Sequence, residues 1–183
     1  MEDAVIEEVL EFWFAEGMDQ RWFVKDPEFD ALIRDKLLPL YEQAAAGELE
    51  SWRRDGRGCL ALCILLDQAP RNLFRNDPRS FATDGYALQV ARDAVSRGWD
   101  ESLQEEEKVF LYLPFEHSEE LEDQRTSLEL FAGIGRASGW YSYAVRHEEI
   151  IRRFGRFPHR NAVLGRETTP EEAAFLLEPG SSF

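Results

Sequence analysis

An uninterrupted apolar segment, Leu-Ala-Leu-Cys-Ile-Leu-Leu, occupies residues 60–66. A helix that is apolar on every side is stable in water only when other helices surround it. We therefore predict that residues 58–69 form the central helix of the fold. Cys59 and Cys63 lie four residues apart on one face of this helix, where disulfide geometry is hard to reach. We interpret both cysteines as small buried hydrophobes.

Helix signals occur on both sides of this segment. Pro27 precedes a stripe of apolar residues with helical spacing that continues to Ala44, and Pro39 lies inside it. Thr169-Pro170-Glu171-Glu172 combines an N-cap, a first-turn proline and a capping-box glutamate. The other predicted helices are residues 4–15, one opened by Asp77-Pro78, one ending at Pro114, one starting near Ser118, and 140–154. No strand alternation competes with this pattern. Residues 1–183 are thus predicted to form a single all-α domain, an irregular bundle of about seven or eight helices in antiparallel pairs.

The composition narrows the classes of partner. The formal net charge is −15, whereas general binding of nucleic acid or anionic membranes needs a basic face. No apolar run approaches the ~20 residues that span a bilayer. The start of the chain is acidic where a signal peptide is basic and then apolar. We therefore expect a cytoplasmic protein that binds neither nucleic acid nor membrane.

Two polar segments share the pattern of a proline followed closely by arginine and asparagine. The first is Asp67-Gln68-Ala69-Pro70-Arg71-Asn72-Leu73-Phe74-Arg75, and the second is Phe154-Gly155-Arg156-Phe157-Pro158-His159-Arg160-Asn161. Six arginines but only two glutamates fall between residues 146 and 166. A basic segment on an acidic protein suits a small anion, an acidic peptide, or ion pairs within the protein. The sequence leaves these three alternatives open.

Three polar side chains fall on apolar helix stripes: Asp67, Gln124 and His147. A buried carboxylate needs a partner, and Arg71 is the obvious candidate for Asp67. Each of the three is explained either by a satisfied hydrogen bond in the core or by a role in a site. His117 precedes the helix start at Ser118, where the helix dipole favours neutral imidazole. That suits a general base, and equally a simple turn residue.

The sequence contains none of the motifs that are typical of known catalytic sites. His147-Glu148-Glu149 lacks the second histidine of the zinc-protease motif. His117-Ser118-Glu119 contains suitable residue types, but neighbours in sequence do not set triad geometry. The three histidines have no metal-ligand spacing. The sequence therefore predicts no metal and no cofactor.

Taken together, these motifs resemble the bacterial family catalogued as domain of unknown function 924. The resemblance rests on Phe12-Trp13-Phe14, on residues 65–75, on Pro114-Phe115-x-His117-Ser118-Glu119 and on residues 155–161, and it spans nearly the whole chain. It implies an all-helical, tetratricopeptide-like superhelical fold and brings no established activity. The family motif positions that it implies are Asp67, Gln68, Arg71, Asn72, Arg75, His117, Ser118, Glu119, Gln124, Arg156, His159, Arg160 and Asn161. Ala69 and Glu116 depart from the family pattern, which has an aromatic residue and methionine there.

Two functions are compatible with these residues. The first is a pocket for a small anionic ligand, a carboxylate or phosphate, with His117 or Asp67 as general base for hydrolysis or proton transfer. Its predicted ligand-binding residues are Arg71, Asn72, Glu119, Gln124, Arg156, His159, Arg160 and Asn161. The alternative is a tetratricopeptide-like module that binds a protein or peptide, in which the Arg–Asn segments are structural locks and Trp13, Trp22 and Trp52 line a groove. The aromatic content is compatible with a homodimer.

Overall fold

The computed structural model describes residues 1–183 and contains α-helices joined by short helical turns, with no β-strand. The predicted all-α class is confirmed. The helices are α1 Glu2–Trp13, α2 Pro27–Ala45, α3 Gly56–Cys63, α4 Ala69–Leu73, α5 Asp84–Ser96, α6 Glu105–Glu116, α7 Leu121–Gly135, α8 Gly139–Phe154, α9 Asn161–Leu164 and α10 Pro170–Phe175. The number exceeds the predicted seven or eight because α4, α9 and α10 are short segments. No helix combines the length and the hydrophobicity needed to cross a membrane.

The chain divides into two compact units. Unit 1 comprises Met1–Arg75 and Arg79–Pro114, and unit 2 comprises Asn76–Pro78 and Phe115–Phe183. Each unit has its own buried apolar residues, so the interactions that stabilise it can be described separately.

The core of unit 1 is built around the predicted central helix. This helix is longer than expected, because α3 continues through a π-helical turn, Ile64–Gln68, directly into α4. Every residue from 59 to 66 is fully buried. Helix α3 packs against α1 and α5, and α4 packs against α2. The apolar run at 60–66 therefore lies among other helices, as its composition requires.

The tryptophans of unit 1 do not line a groove. Trp13, Trp22 and Trp52 are 1%, 6% and 2% exposed. The Trp13 and Trp22 rings stack, and both rings also contact Phe110. The predicted groove is wrong because burying these large rings stabilises the core more than exposing them would.

A close backbone approach explains one glycine of the central helix. A Cβ atom added to Gly58 would lie 1.9 Å from the carbonyl oxygen of Trp52. The amide of Gly58 also caps this helix by donating to Asp55. Only glycine allows the first turn of α3 to lie this close to the preceding segment.

Two predicted helix ends are shifted. Asp77-Pro78 introduces only a short 3₁₀ turn, Pro78–Ser80, and α5 begins later, at Asp84. Pro114 lies inside α6 instead of ending it. A proline near the end of a helix removes a single backbone hydrogen bond, so the helix can continue for two more residues.

Unit 2 is organised by the pairing of α7 with α8. Its apolar core contains Ile150, Ile151, Phe157 and Phe175. Gly155 ends α8 in the left-handed conformation at φ 70°, as predicted, and directs the chain into the turn Pro158–Arg160. The predicted capping box at the start of α10 is also present.

Candidate functional site

Asp67 lies in the π-helical turn of unit 1 and is fully buried. Its carboxylate accepts a hydrogen bond of 2.6 Å from Gln68 and lies 3.5 Å from Nη1 of Arg71. Arg71 also donates two hydrogen bonds, of 2.8 and 3.0 Å, to Asp84. The predicted Asp67–Arg71 pair is therefore present. Burial opposes the charge of Arg71, but the neighbouring Asp67 and Asp84 outweigh it and raise its pKa.

The next two polar residues of this segment meet at one carboxylate of α2. The Asn72 amide donates to Asp30 over 2.8 Å, and Arg75 donates two hydrogen bonds, of 2.5 and 2.8 Å, to the same side chain. In this arrangement one carboxylate accepts hydrogen bonds from an asparagine amide and an arginine guanidinium. We call it an Asn–Arg–carboxylate lock. It joins the end of the central helix to α2.

The same arrangement occurs in unit 2 around Glu172. Arg156 donates to both carboxylate oxygens of Glu172, over 2.7 and 2.9 Å, and the Asn161 amide donates to it over 3.1 Å. The backbone amide of Thr169 is a further donor, at 2.9 Å. The Arg156 hydrogen bonds, followed by the Thr169 amide, lower the pKa of Glu172 to about 2. Glu172 therefore stays ionised although its residue is 3% exposed.

Glu119 forms a second ion pair in unit 2. It accepts two hydrogen bonds from Arg166, of 2.8 and 3.0 Å, and one of 2.8 Å from the backbone amide of Phe157. Burial alone would raise the pKa of Glu119, but these donors and the charge of Arg160 lower it. The turn before α7 is thereby joined to the segment that carries Phe157.

Most charged and amide groups of the two Pro–Arg–Asn segments therefore have partners inside their own unit. This applies to the predicted ligand-binding residues Arg71, Asn72, Arg156 and Asn161. Glu119 lies outside these segments and is also paired within its own unit. Asp67, predicted as a general base, is fully buried and hydrogen-bonded. The partners Asp30, Arg166 and Glu172 were not predicted as site residues. Asp30 and Glu172 lie in the first turns of helices, where acidic residues are ordinary.

The remaining predicted residues of unit 2 lie near one group of rings. All three histidines of the chain belong to it, and we call them, with Glu116, Phe157 and Phe183, the histidine cluster. The ring centroids of His117 and His147 are 6.1 Å apart, and those of His147 and Phe183 are 3.9 Å apart and stacked. His159 contacts Phe157 at 5.8 Å and Phe183 at 5.7 Å. His117 and His159 are partly exposed, whereas His147 is buried, so the cluster extends from the core to the surface.

His147 is held neutral at the centre of this cluster. Burial is the largest cause, and the nearby His117, His159 and Arg160 add to it, lowering the pKa of His147 to about 3. The Tyr143 carbonyl and the Glu116 carboxylate lie 2.8 and 3.1 Å from Nδ1. The Tyr143 carbonyl favours the protonated ring but does not outweigh burial. Neutral imidazole can donate through one nitrogen and accept through the other.

Gln124 shapes the turn that carries His117. Its amide nitrogen donates to the Glu116 and Ser118 carbonyls over 2.6 and 2.7 Å. Its Oε1 atom is buried and has no hydrogen-bond partner, and the same is true of Oγ of Ser127, one turn later on α7. A buried polar group that stays without a hydrogen-bond partner lowers the stability of the folded protein by about 1–3 kcal/mol. The predicted burial of Gln124 and of His147 is confirmed.

Arg160 lies beside the same turn. Its Nη2 atom donates to the His117 carbonyl over 3.0 Å, and its guanidinium lies 4.7 Å from the centre of the Phe157 ring. Unit 2 therefore brings together His117, Gln124, His159 and Arg160. The predicted meeting of these residues with the Asp67–Arg75 segment stays a prediction, because that segment belongs to unit 1.

The comparisons with known proteins agree with this all-helical structure. A model described as "Bacterial protein of unknown function (DUF924)" matches residues 9–180. The solved structure of protein of unknown function ATU0120 from Agrobacterium tumefaciens is similar, with a TM-score of 0.92 and 40% sequence identity. The match covers 97% of this chain and 99% of that one. No curated protein matches the chain.

Proposed function

The chain belongs to the bacterial family of unknown function DUF924, and we propose that it binds a small anionic ligand, a carboxylate or a phosphate, at the histidine cluster of unit 2. The observation that carries this proposal is the gathering of all three histidines beside Arg160. They come from three separate segments: the end of α6, α8, and the turn before α9. Imidazole and guanidinium donors at one place suit an anionic group.

The electrostatics of the cluster support an anion. Arg160 brings a positive charge near His147 and is one of the causes that lower its pKa. Arg156 and Arg166 face the carboxylates of Glu172 and Glu119. Arg160 lies beside His117, and the proposal assigns the anion to this group of side chains.

Hydrogen bonding supports a ligand that also carries a donor. Oε1 of Gln124 and Oγ of Ser127 are buried without partners on the helix that packs against α8. A hydroxyl group on the ligand would satisfy the Gln124 oxygen. The Gln124 nitrogen fixes the turn around His117, and in the proposal its oxygen accepts a hydrogen bond from that hydroxyl group.

The proposal is tested by thermal unfolding and titration calorimetry with inorganic phosphate and citrate, in buffer containing a metal chelator. The wild type is compared with His159→Ala, which removes a partly exposed member of the cluster, and with Arg152→Ala. Arg152 is an exposed arginine of α8 in the same unit, so this control removes a positive charge outside the cluster. A ligand at 100 times its Kd stabilises the folded protein by about 2.7 kcal/mol.

We expect the wild type and Arg152→Ala to bind one of these anions and to unfold at a higher temperature with it. His159→Ala should bind the anion at least tenfold more weakly than the wild type. Equal binding by all three proteins would place the anion elsewhere. Failure of the wild type to bind any phosphate or carboxylate would overturn the proposal.

A further inference from the structure

Three side chains of the histidine cluster form a compact set of metal-ligand types. Glu116, His117 and His147 each offer a ligand atom, and these atoms all lie within 4.8 Å of one another. Glu116 ends α6, His117 follows it, and His147 comes from α8. Residues 116 and 117 and helix α8, all in unit 2, therefore bring together two imidazoles and one carboxylate. Their spacing along the chain is unlike any metal motif, which is why the sequence does not predict this group.

Two histidines and one glutamate are a donor set of catalytic zinc sites, in which the fourth position stays open. Zinc holds such atoms about 2.0–2.2 Å from itself, so tetrahedral ligand atoms lie roughly 3.4 Å apart. The ligand atoms of Glu116, His117 and His147 lie within 4.8 Å of one another, so they must move closer together to bind zinc. Glu116 and His147 are 3% and 4% exposed, whereas His117 is partly exposed on a turn. Gln124 and Arg160 hold the backbone around His117, so rotation of its partly exposed side chain is what would close the site.

The hydrogen bonds of His147 prepare it for a metal. Its Nδ1 atom donates to the Tyr143 carbonyl oxygen, 2.8 Å away. A carbonyl oxygen can only accept, so Nδ1 carries the proton and Nε2 carries the lone pair. Histidines that bind metals donate their other N–H to a carbonyl or carboxylate in this manner.

We propose that Glu116, His117 and His147 bind one zinc ion, with the fourth position open to water or to an oxygen of the ligand. Zinc in such a site lowers the pKa of bound water to about 7 and polarises carbonyl or phosphoryl groups, which is the chemistry of metal-assisted hydrolysis. His117 is then a metal ligand and not a general base. The inference shares its cluster with the proposed anion site but does not depend on anion binding.

The test measures metal binding directly, in phosphate-free buffer after removal of metal by a chelator. Zinc binding is measured by competition with a chromophoric chelator, and Co²⁺ is added as a spectroscopic probe of the ligand set. The variants are His117→Ala, Glu116→Gln and His159→Ala. His117→Ala is the decisive variant because His117 is partly exposed, so its removal disturbs the core least. Circular dichroism checks that each variant is folded.

We expect wild type and His159→Ala to bind one zinc ion, and folded His117→Ala and Glu116→Gln to lose at least a hundredfold in affinity. Co²⁺ should give visible bands typical of tetrahedral or five-coordinate sites. Wild-type binding weaker than millimolar, or equal binding by wild type and folded His117→Ala, would overturn the metal site. The two proposals fail separately: His159→Ala tests the anion without changing the metal ligands, and the anion titration is carried out without metal.

Discussion

Asn72 and Asn161 make the same contact in the two units of the protein. The side-chain amide of each donates a hydrogen bond to a carboxylate, Asp30 or Glu172. The same carboxylate also accepts hydrogen bonds from an arginine. Each carboxylate lies in the first turn of a helix. The repeated Pro–Arg–Asn pattern of the sequence therefore corresponds to a repeated structural lock. The chemistry of the protein is more reasonably sought at the histidine cluster, where the groups are of a different kind.

Removing the amide of the lock in unit 2 should destabilise the protein. Asn161→Ala takes one donor from the buried carboxylate of Glu172 and an acceptor from Arg166. We expect the free energy of unfolding to fall by about 2 kcal/mol, as for hydrogen bonds to charged groups. Urea unfolding measures it. Gln43→Ala, at an exposed position of α2, is the control and should change stability by less than about 0.5 kcal/mol. Equal values for the two variants would contradict the lock.

The lock of unit 2 should also make stability depend on pH. Glu172 has a folded pKa of about 2, below its ordinary value of 4.5, chiefly because Arg156 donates to it. Between these values the unfolded chain binds more protons than the folded protein. The contribution is complete above pH 4.5 and is lost as the pH falls towards 2. Urea unfolding between pH 6 and 2.5 should therefore show a shallower decline for Glu172→Gln than for wild type. The exposed neighbour Glu171 provides the control Glu171→Gln, and a slope like that of wild type is expected for it.

The pair Asp67–Arg71 should be strongly coupled. Removing one partner leaves the other charge in a buried place, and such changes destabilise by about 3–5 kcal/mol. Arg71→Ala should approach this range, because Asp67 is fully buried, whereas Asp67→Ala should cost less because Arg71 keeps Asp84. The double variant should lose at least 1 kcal/mol less than the sum of the two. The exposed pair Glu122–Arg125 has the same closest N–O distance of 3.5 Å. Its coupling should stay below about 1 kcal/mol. Additive effects at residues 67 and 71 would show that their contact is incidental.

Gly58 should not tolerate a side chain. Its added Cβ would overlap the Trp52 carbonyl oxygen, and relieving the overlap requires the backbone to shift. We expect Gly58→Ala to lower the free energy of unfolding by about 1–3 kcal/mol. Gly133 lies within α7 with no atom near its added Cβ, so Gly133→Ala should instead raise it by roughly 0.5–1 kcal/mol. Chemical denaturation distinguishes these opposite signs.

Burial could be predicted from the sequence because it follows helical phase. Asp67, Gln124 and His147 each fall on an apolar stripe, and each is buried. The capping box at Thr169 was predicted for a similar reason, since its two partners lie three residues apart. Signals of this kind depend on neighbours along one helix.

The partners of these residues could not be predicted in the same way. Asn72 and Asp30 are separated by 42 residues, and Arg166 and Glu119 by 47. Their pairing depends on how the helices pack and leaves no pattern in the local sequence. The histidine cluster has the same origin, because the end of α6, α8 and the turn after it meet only in the folded unit.

The π-helical turn at Ile64–Gln68 holds one residue more than an α-helical turn, so the central helix accommodates an extra residue without changing the phase of the residues after it. Removing one residue from this turn would let it close as regular α-helix, with Arg71, Asn72 and Arg75 still directed towards Asp84 and Asp30. Deleting a residue from α3 would instead rotate everything after it by about 100°. Such a deletion changes which helix each side chain faces while leaving the chemistry of every remaining residue intact.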